Sequence, residues 1–512
     1  MLKQKIQFNT SKLAIVVYGV LIGFLTGVVV SLFRLSIEKI LAGFQALYLA
    51  VGRGDVFLLM IIILLNIGCL AVAAWLLKQN PHISGSGIPQ VEGVLTGEIT
   101  DNWWATLWRK FTAGILAIGS GLMLGREGPS IQLGAAIGQG VAQYRHLSHN
   151  KAKSLIASGA AAGLSAAFNA PLAGVMFVLE EIYHSISPFV WVGAVTGATV
   201  SDFVSTVMFG QTPVLAVGQL TVFPVKLYGL LLLFGLILGL FGYVYQRVLL
   251  ASLSLYDKLA LPKPLYGIIP FVLVIPIGLM WPHILGGGNG LILSLNNTPT
   301  SVKMLGLLLM VRFVFSMVSY GSGLPGGIFL PILTLGALSG TLIANVFVTL
   351  NLMPTTYILN FVVIGMAGYF ACIGKAPFTA IILVFEMVGS VTHILPLAFV
   401  SLVAYLVVDL LNGAPIYESL LARLLQHNQP TTASLAMTTL EIPVLAGSMM
   451  EDQPIRDLNL LPNSLITLVK RSDNILIPKG DLVLRAGDII YLRTSQDAVQ
   501  AAKEQLLATA EV

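Results

Sequence analysis

Charge is what this sequence lacks. Only 10% of its 512 residues are Asp, Glu, Lys or Arg, while 56% are hydrophobic and mean hydropathy is +0.87. Soluble domains carry about 25% charged residues, so the composition excludes an ordinary soluble globule and points to a polytopic membrane protein. Cysteine is nearly absent. Cys69 and Cys372 both lie in apolar segments, so no disulfide framework is implied. The net charge of +5 reflects Lys and Arg in loops and suggests no nucleic-acid partner. Seven histidines show no repeated ligand spacing, so no metal is expected. Enzyme signatures are missing as well. "SGSG" at 84–87 has Ser84 where a G-x-S-G protease carries glycine, and "NAPLAG" at 169–174 has no phosphate-loop Lys-Thr pair. Neither an enzyme nor a cofactor is called for.

Apolar segments are plentiful. Runs at 13–33, 56–77, 189–209, 225–250, 303–319 and 392–411 are of spanning length, roughly 20 residues. The first lacks a small-residue cleavage site and is expected to be a retained helix. Others, at 128–144, 154–166, 170–183, 327–348, 357–373 and 375–389, are short or broken by Pro and Gly. Broken backbone at membrane depth is tolerated only where protein buries it or where it lines a cavity. Paired interrupted segments point to a transport site.

Such pairs are present. "GPSIQLGA" (128–135) resembles "LPILTLGA" (330–337), with Pro129 and Pro331 202 residues apart. "NAPLAGVMFVLE" (169–180) resembles "KAPFTAIILVFE" (375–386), with Pro171 and Pro377 206 apart and Glu180 falling on Glu386. "GSGIP" (85–89) has a Gly-rich counterpart in "GGGNG" (286–290). Three matches in one order predict a duplication with halves of about 10–213 and 215–425. Lys3, Lys5 and Lys12 favour a cytoplasmic N-terminus, and a soluble tail favours the same side for the C-terminus. That fits an inverted repeat without proving one.

From about Ala436, "NSLITLVKRSDNILIPKGDLVLRAGDIIYLRT" alternates apolar and polar residues between turn signals, which reads as antiparallel strands. "SQDAVQAAKEQLL" (495–507) reads as an amphipathic helix capped by a serine. Residues 426–436 are the expected linker and 437–512 a small soluble α/β domain.

The chemistry concentrates where helices begin. In "GREGPS" (125–130), Pro129 predicts a helix start, since proline is at home in a first turn. Glu127 should then sit just ahead of free amides that would attract an anion. "GSGIP" and "GGIFLP" (326–331) repeat this arrangement. Such mouths hold an anion by partial charge and let it leave again. A glutamate there competes with the anion when ionised and withdraws when protonated, so it can gate and carry a proton. A structural Arg126–Glu127 pair is the alternative. In "VLEEIYHS" (178–185), Glu180 has a repeat partner and suggests a structural place. Glu181 has none, Met387 being its counterpart, and is the better functional candidate.

Taken together, "GSGIP", "GREGP", "GGIFLP" and the tyrosine of "GAPIYESLL" (413–421) resemble the CLC family of chloride channels and chloride/proton exchangers. The resemblance covers about residues 10–425. It implies an all-α polytopic fold built as an inverted repeat of two halves with short, broken helices. It also implies a homodimer with one pathway per subunit in the cell (inner or plasma) membrane. By similarity, Ser86 and Tyr417 are the anion-binding hydroxyls, Ile328 and Phe329 the backbone donors, and Lys110 a source of positive potential. Glu127 resembles the gating glutamate and external proton site, and Glu181 the internal one. Ser86 favours chloride over nitrate, "GREGP" argues against the fluoride-exporting branch, and Glu181 favours exchange over conduction. The resemblance thus implies a proton-coupled chloride antiporter, with a passive gated chloride channel as the alternative. Residues 437–512 resemble a TrkA-C (RCK C-terminal) domain rather than paired CBS domains. They suggest an unknown small ligand or a dimer contact. A ligand-sensing receptor would lose its function with this tail, whereas a transporter would keep basal flux.

Overall fold

The computed structural model describes residues 10–428 and 437–495, apart from 56, 184–187, 216, 219, 296–300, 390–392, 446, 459, 461–463 and 472–473. Its contacts divide the chain into two compact units, Met1–Leu425 and Gln426–Val512.

The first unit is helical. Its first half runs α1 (Thr10–Gly52), α2 (Phe57–Gln79), α3 (Ile88–Thr96), α4 (Trp103–Gly119), α5 (Glu127–Tyr144), α6 (His149–Phe168), α7 (Pro171–Phe177) and α8 (Pro188–Phe209). The second half runs α9 (Tyr228–Asp257), α10 (Ile268–Met280), α11 (Asn289–Ser294), α12 (Val302–Gly321), α13 (Phe329–Thr349), α14 (Ile358–Gly374), α15 (Pro377–Val388), α16 (Ile394–Leu410) and α17 (Ile416–Asn428). Among the described residues, eight helices are long and apolar enough to cross a membrane. Phe57, Met60, Leu64 and Ile67 of α2 are exposed, as lipid-facing residues would be. The expected first span stops too early. Its helix continues past Phe33 to Gly52 because "RLSIEKILAGFQALYLAVG" keeps helix-forming residues without a breaker. Helices α4 and α10 were not among the expected apolar segments. Helix α4 is amphipathic, and α10, at 13 residues with Pro276 inside, is short.

The two halves are built alike in their close crossings. A Cβ on Gly134 of α5 would stand 2.0 Å from the Gly159 carbonyl oxygen of α6, and one on Gly138 would stand 2.2 Å from that of Leu155. In the second half, Cβ atoms on Gly336 and Gly340 of α13 would meet the Gly365 and Phe361 carbonyl oxygens of α14 at 2.4 and 2.0 Å. Backbone packs on backbone there, the geometry that small residues permit in membranes. Gly159→Val is accordingly expected to cut the yield of monodisperse protein roughly tenfold or more, since backbone cannot yield to a branched side chain. Gly68→Val, on an exposed position with nothing within 4 Å, is expected to leave the yield unchanged. Size-exclusion chromatography in detergent compares the two.

Glu180 and Glu386 tie the halves together reciprocally. The Glu180 carboxylate accepts from the Phe378 and Thr379 amides at the start of α15, at 3.2 and 2.7 Å. The Glu386 carboxylate accepts from the Leu172 and Ala173 amides at the start of α7, at 3.0 and 2.7 Å. Each satisfies amides that a helix start leaves without partners and places a negative charge at a positive helix end. Repeat-matched Glu180 therefore holds the structural place expected of it.

The second unit holds one antiparallel sheet in the order β1-β4-β2-β3. The strands are β1 (Met437–Pro443), β2 (Leu465–Arg471), β3 (Asn474–Leu476) and β4 (Asp488–Ser495). Ile442, Ile466, Val469, Ile490 and Leu492 supply its core. Arg471 donates to both Asp488 carboxylate oxygens, at 2.8 and 2.7 Å. Burial alone would push that carboxyl up. The bonds from Arg471 and from the Arg485 amide outweigh burial and hold it below the usual carboxylate range. Ser495 ends β4, and the rest of the helix expected over 495–507 lies outside the described residues. Residues 426–428 of the expected linker complete α17, and 429–436 also lie outside.

Candidate functional site

Three helix starts converge. Gly87, Arg126 and Ile328 cap α3, α5 and α13, and none of the three makes a side-chain capping bond. At α3 the Ile88 amide is taken by the Ser86 hydroxyl, whereas the amides of Ile328 and Phe329 at the start of α13 have no capping side chain and suit an anion. The Gly-rich stretches ahead of them are stitched together by backbone. Gly125 and Gly327 exchange hydrogen bonds at 2.7 and 2.6 Å. The Gly85 amide donates to the Gly323 carbonyl at 3.2 Å, and Gly326 donates back to Gly85 at 2.9 Å. Glycine is required at 87 twice over. Its φ is +89°, and a Cβ would strike Gln132 Oε1 at 2.3 Å.

Glu127 is the first helical residue of α5, not the residue just ahead of it, and Pro129 is the third. Proline still fits, because the amide it lacks would have had no partner in a first turn. The glutamate is fully buried. Around Gly125, a Cβ would meet Glu127 Oε2, Pro331 Cδ and the Leu330 nitrogen at 2.4, 3.1 and 3.2 Å. The carboxylate thus lies against the first turn of α13, beside the Leu330 amide. Neither oxygen completes a hydrogen bond of full geometry. The expected alternative, a structural pair with Arg126, is loose. Arg126 Nε stands 3.9 Å from Glu127 Oε1, and the guanidinium bonds Glu38 instead at 2.6 Å. The repeat places Phe329 where Glu127 stands, each being the first residue of its helix two before a proline.

Ser86 is buried and its hydroxyl accepts from the Ile88 amide at 3.3 Å. A Cβ on Gly128 would stand 2.7 Å from the Ser86 carbonyl oxygen, so the first turn of α5 rests on this loop. Lys110, also buried, donates to the carbonyls of Ile83 and Gly85 at 2.8 Å each. Ile328 caps α13 and Phe329 begins it, so both amides sit among its free donors. The Phe329 ring packs on Phe370, Phe168 and Phe177 at 4.3, 5.4 and 5.6 Å, and Phe177 meets Tyr417 edge-on at 6.0 Å. Tyr417 is buried with its hydroxyl unpartnered. It lies within electrostatic reach of both Glu181 and Glu127.

Glu181 sits on a π-helical turn, Val178–Ile182, that continues α7. Such turns recur at functional sites. Glu181 is buried with Oε1 unpartnered, while its neighbour Glu180 turns to α15. Glu92, Glu418 and Glu180 act on it electrostatically.

Three features escaped sequence reasoning. Tyr320 bonds Ser86 and adds a third hydroxyl beside the loop. Arg34 and Glu38 of α1 reach Arg126 across 88 residues of chain or more. Arg312, buried on α12, donates to the carbonyls of Ile284 and Gly286 at 2.8 and 2.7 Å, just as Lys110 does to Ile83 and Gly85. The signal for Arg312 was in reach. It lies 202 residues after Lys110, and "PHI" occurs at both 81–83 and 282–284. Among the described residues no cluster of His, Cys, Asp and Glu could hold a metal.

The sequence matches a known family. Residues 68–409 fit the family described as "Voltage gated chloride channel". The chain belongs to the voltage-gated chloride channel family, the CLC family. An H(+)/Cl(-) exchange transporter ClcA of Vibrio cholerae is 38% identical over 363 residues, 68% of this chain and 76% of that one. One of Salmonella arizonae is 34% identical over 455 residues, 86% of this chain and 94% of that one. The crystal structure of a slow cyanobacterial Cl-/H+ antiporter, 30% identical, covers 81% of this chain and 98% of its own with a TM-score of 0.77. The chain thus has the CLC fold, the inverted repeat of broken helices that its motifs implied. Residues 439–507 match the TrkA-C domain.

Proposed function

We propose that this CLC-family protein exchanges chloride for protons across the cell membrane. The observation that carries the reading is the pair of buried carboxylates within electrostatic reach of Tyr417. Glu127 lies against the free amides of α13, and Glu181 stands on the π-turn with an unpartnered oxygen. Similarity to exchange transporters along 86% of the chain supports it.

In this reading chloride is held by the Ser86 and Tyr417 hydroxyls and by the Ile328 and Phe329 amides, in the positive potential of Lys110. The ionised Glu127 occupies the outer anion position. Protonation removes its attraction to the amides, so the side chain leaves and chloride enters. The proton taken up passes to Glu181 and leaves on the inner side. Each subunit of a homodimer works alone, with both termini cytoplasmic. The halves are 10–213 and 215–425, and 437–512 form a regulatory module that binds a small ligand or a second copy.

Glu181→Gln separates exchange from conduction. Glutamine keeps the shape and cannot ionise, so the variant is expected to move chloride while proton movement falls to background. A channel would show no difference from wild type. Paired chloride and pH recordings on proteoliposomes read the outcome.

A further inference from the structure

Four charges gather around the gate residue. Glu127 begins α5 and Arg126 caps it, while Arg34 and Glu38 come from α1. Glu38 Oε1 accepts from Arg126 NH1 at 2.6 Å and from Arg34 Nε at 3.1 Å. Arg34 is anchored further by Asn169 Oδ1 at 2.8 Å and by the Phe209 ring at 4.0 Å from its centroid. Arg126 is nearly buried, and its Nε has no hydrogen-bond partner. Glu38 is 41% exposed and lines a cavity of 210 Å³ together with Arg126 and Leu330. His283 lines the same cavity, and Asp202 reaches the group through Asn169. Helix α13 brings no charged residue.

Net charge makes the cluster useful. With Glu127 ionised the four charges cancel. With Glu127 protonated the remainder is one positive charge beside a position that an anion must enter. The balance depends on Glu38. A guanidinium with only one carboxylate in reach would close on it in a two-point pair. Arg126 has two within reach, and Glu38 takes the direct bond.

We propose that Glu38 is a positioning residue for the gate: by holding Arg126, with Arg34 as its second anchor, it keeps Glu127 free to take up a proton and swing out. The proposal rests on the reading of Glu127 as the gate. Without Glu38, Arg126 turns to Glu127 and the cluster carries an extra positive charge. Both effects favour the ionised, closed gate, so more acid is needed to open it. Without Arg34 the cluster carries an extra negative charge, and less acid is needed.

The test is chloride flux from proteoliposomes as a function of pH. Glu38→Gln is expected to move the half-maximal pH about one unit toward acid, a tenfold change in proton concentration. Arg34→Gln is expected to move it in the opposite direction. Loosened packing would lower maximal flux in both variants without producing opposite shifts. In a Glu127→Gln background the Glu38→Gln change is expected to have no effect on pH dependence. Shifts of the same sign, no shift, or a shift that persists without Glu127 would each overturn the proposal. Proton coupling of the wild type is read separately. If chloride moves without protons, the exchange reading fails while the opposite shifts still support this role for Glu38. A wild-type flux that ignores pH overturns both.

Discussion

Glu127→Gln is expected to abolish proton coupling and leave a chloride flux almost independent of pH. Glutamine fills the same volume at the start of α5, yet it carries no charge to compete with chloride and no titratable proton. The Leu330 amide and its neighbours on α13 would be left to the anion alone. Flux should therefore stay near its protonated-gate level across roughly pH 4 to 8, a range in which a carboxylate would have titrated. Wild-type coupling in this variant would show that the proton travels without Glu127. A flux that still rises steeply with acid would place the sensing group elsewhere.

The second large effect is expected at Lys110. Its ammonium is buried, donates to the Ile83 and Gly85 carbonyls at 2.8 Å each, and so holds the loop that presents Ser86. Hydrogen bonds to a charged group contribute about 1.5–3 kcal/mol each. Lys110→Met removes both, together with the positive charge that the proposed anion route would feel. Chloride affinity is expected to fall by about tenfold or more, as read by calorimetric titration. Arg312 is the control that the repeat supplies. It grips the corresponding loop of the second half through Ile284 and Gly286. Arg312→Met is expected to lower thermal stability comparably while chloride affinity stays within about threefold. Equal losses of affinity in the two variants would mean that Lys110 acts by general bracing and not through the anion.

Much of this was legible in the sequence because the motifs are local and duplicated. Pro129 and Pro331 mark helix starts that the structure shows in the same register, with Glu127 and Phe329 each two residues ahead. The same comparison separated Glu180, which caps the start of α15 as Glu386 caps the start of α7, from Glu181, which has no counterpart. In each case the residue that breaks the symmetry, Glu127 or Glu181, is a buried carboxylate with an unpartnered oxygen. What stayed hidden needed distances that no spacing encodes. Glu38 meets Arg126 from the part of α1 beyond Phe33, where the expected apolar span had ended. The π-turn that orients Glu181 leaves no trace in a run of Val, Leu and Glu. Helix α4 was passed over because Arg109 and Lys110 lower its hydropathy, although it carries the lysine that braces the loop of Ser86.

Coupling is the central claim, and it is tested most directly in wild-type proteoliposomes. A chloride gradient is imposed, voltage is clamped with potassium and a potassium ionophore, and external pH is recorded. Exchange predicts that chloride running downhill drives protons uphill, in the direction opposite to chloride. Chloride flux with no proton movement against its gradient would contradict it.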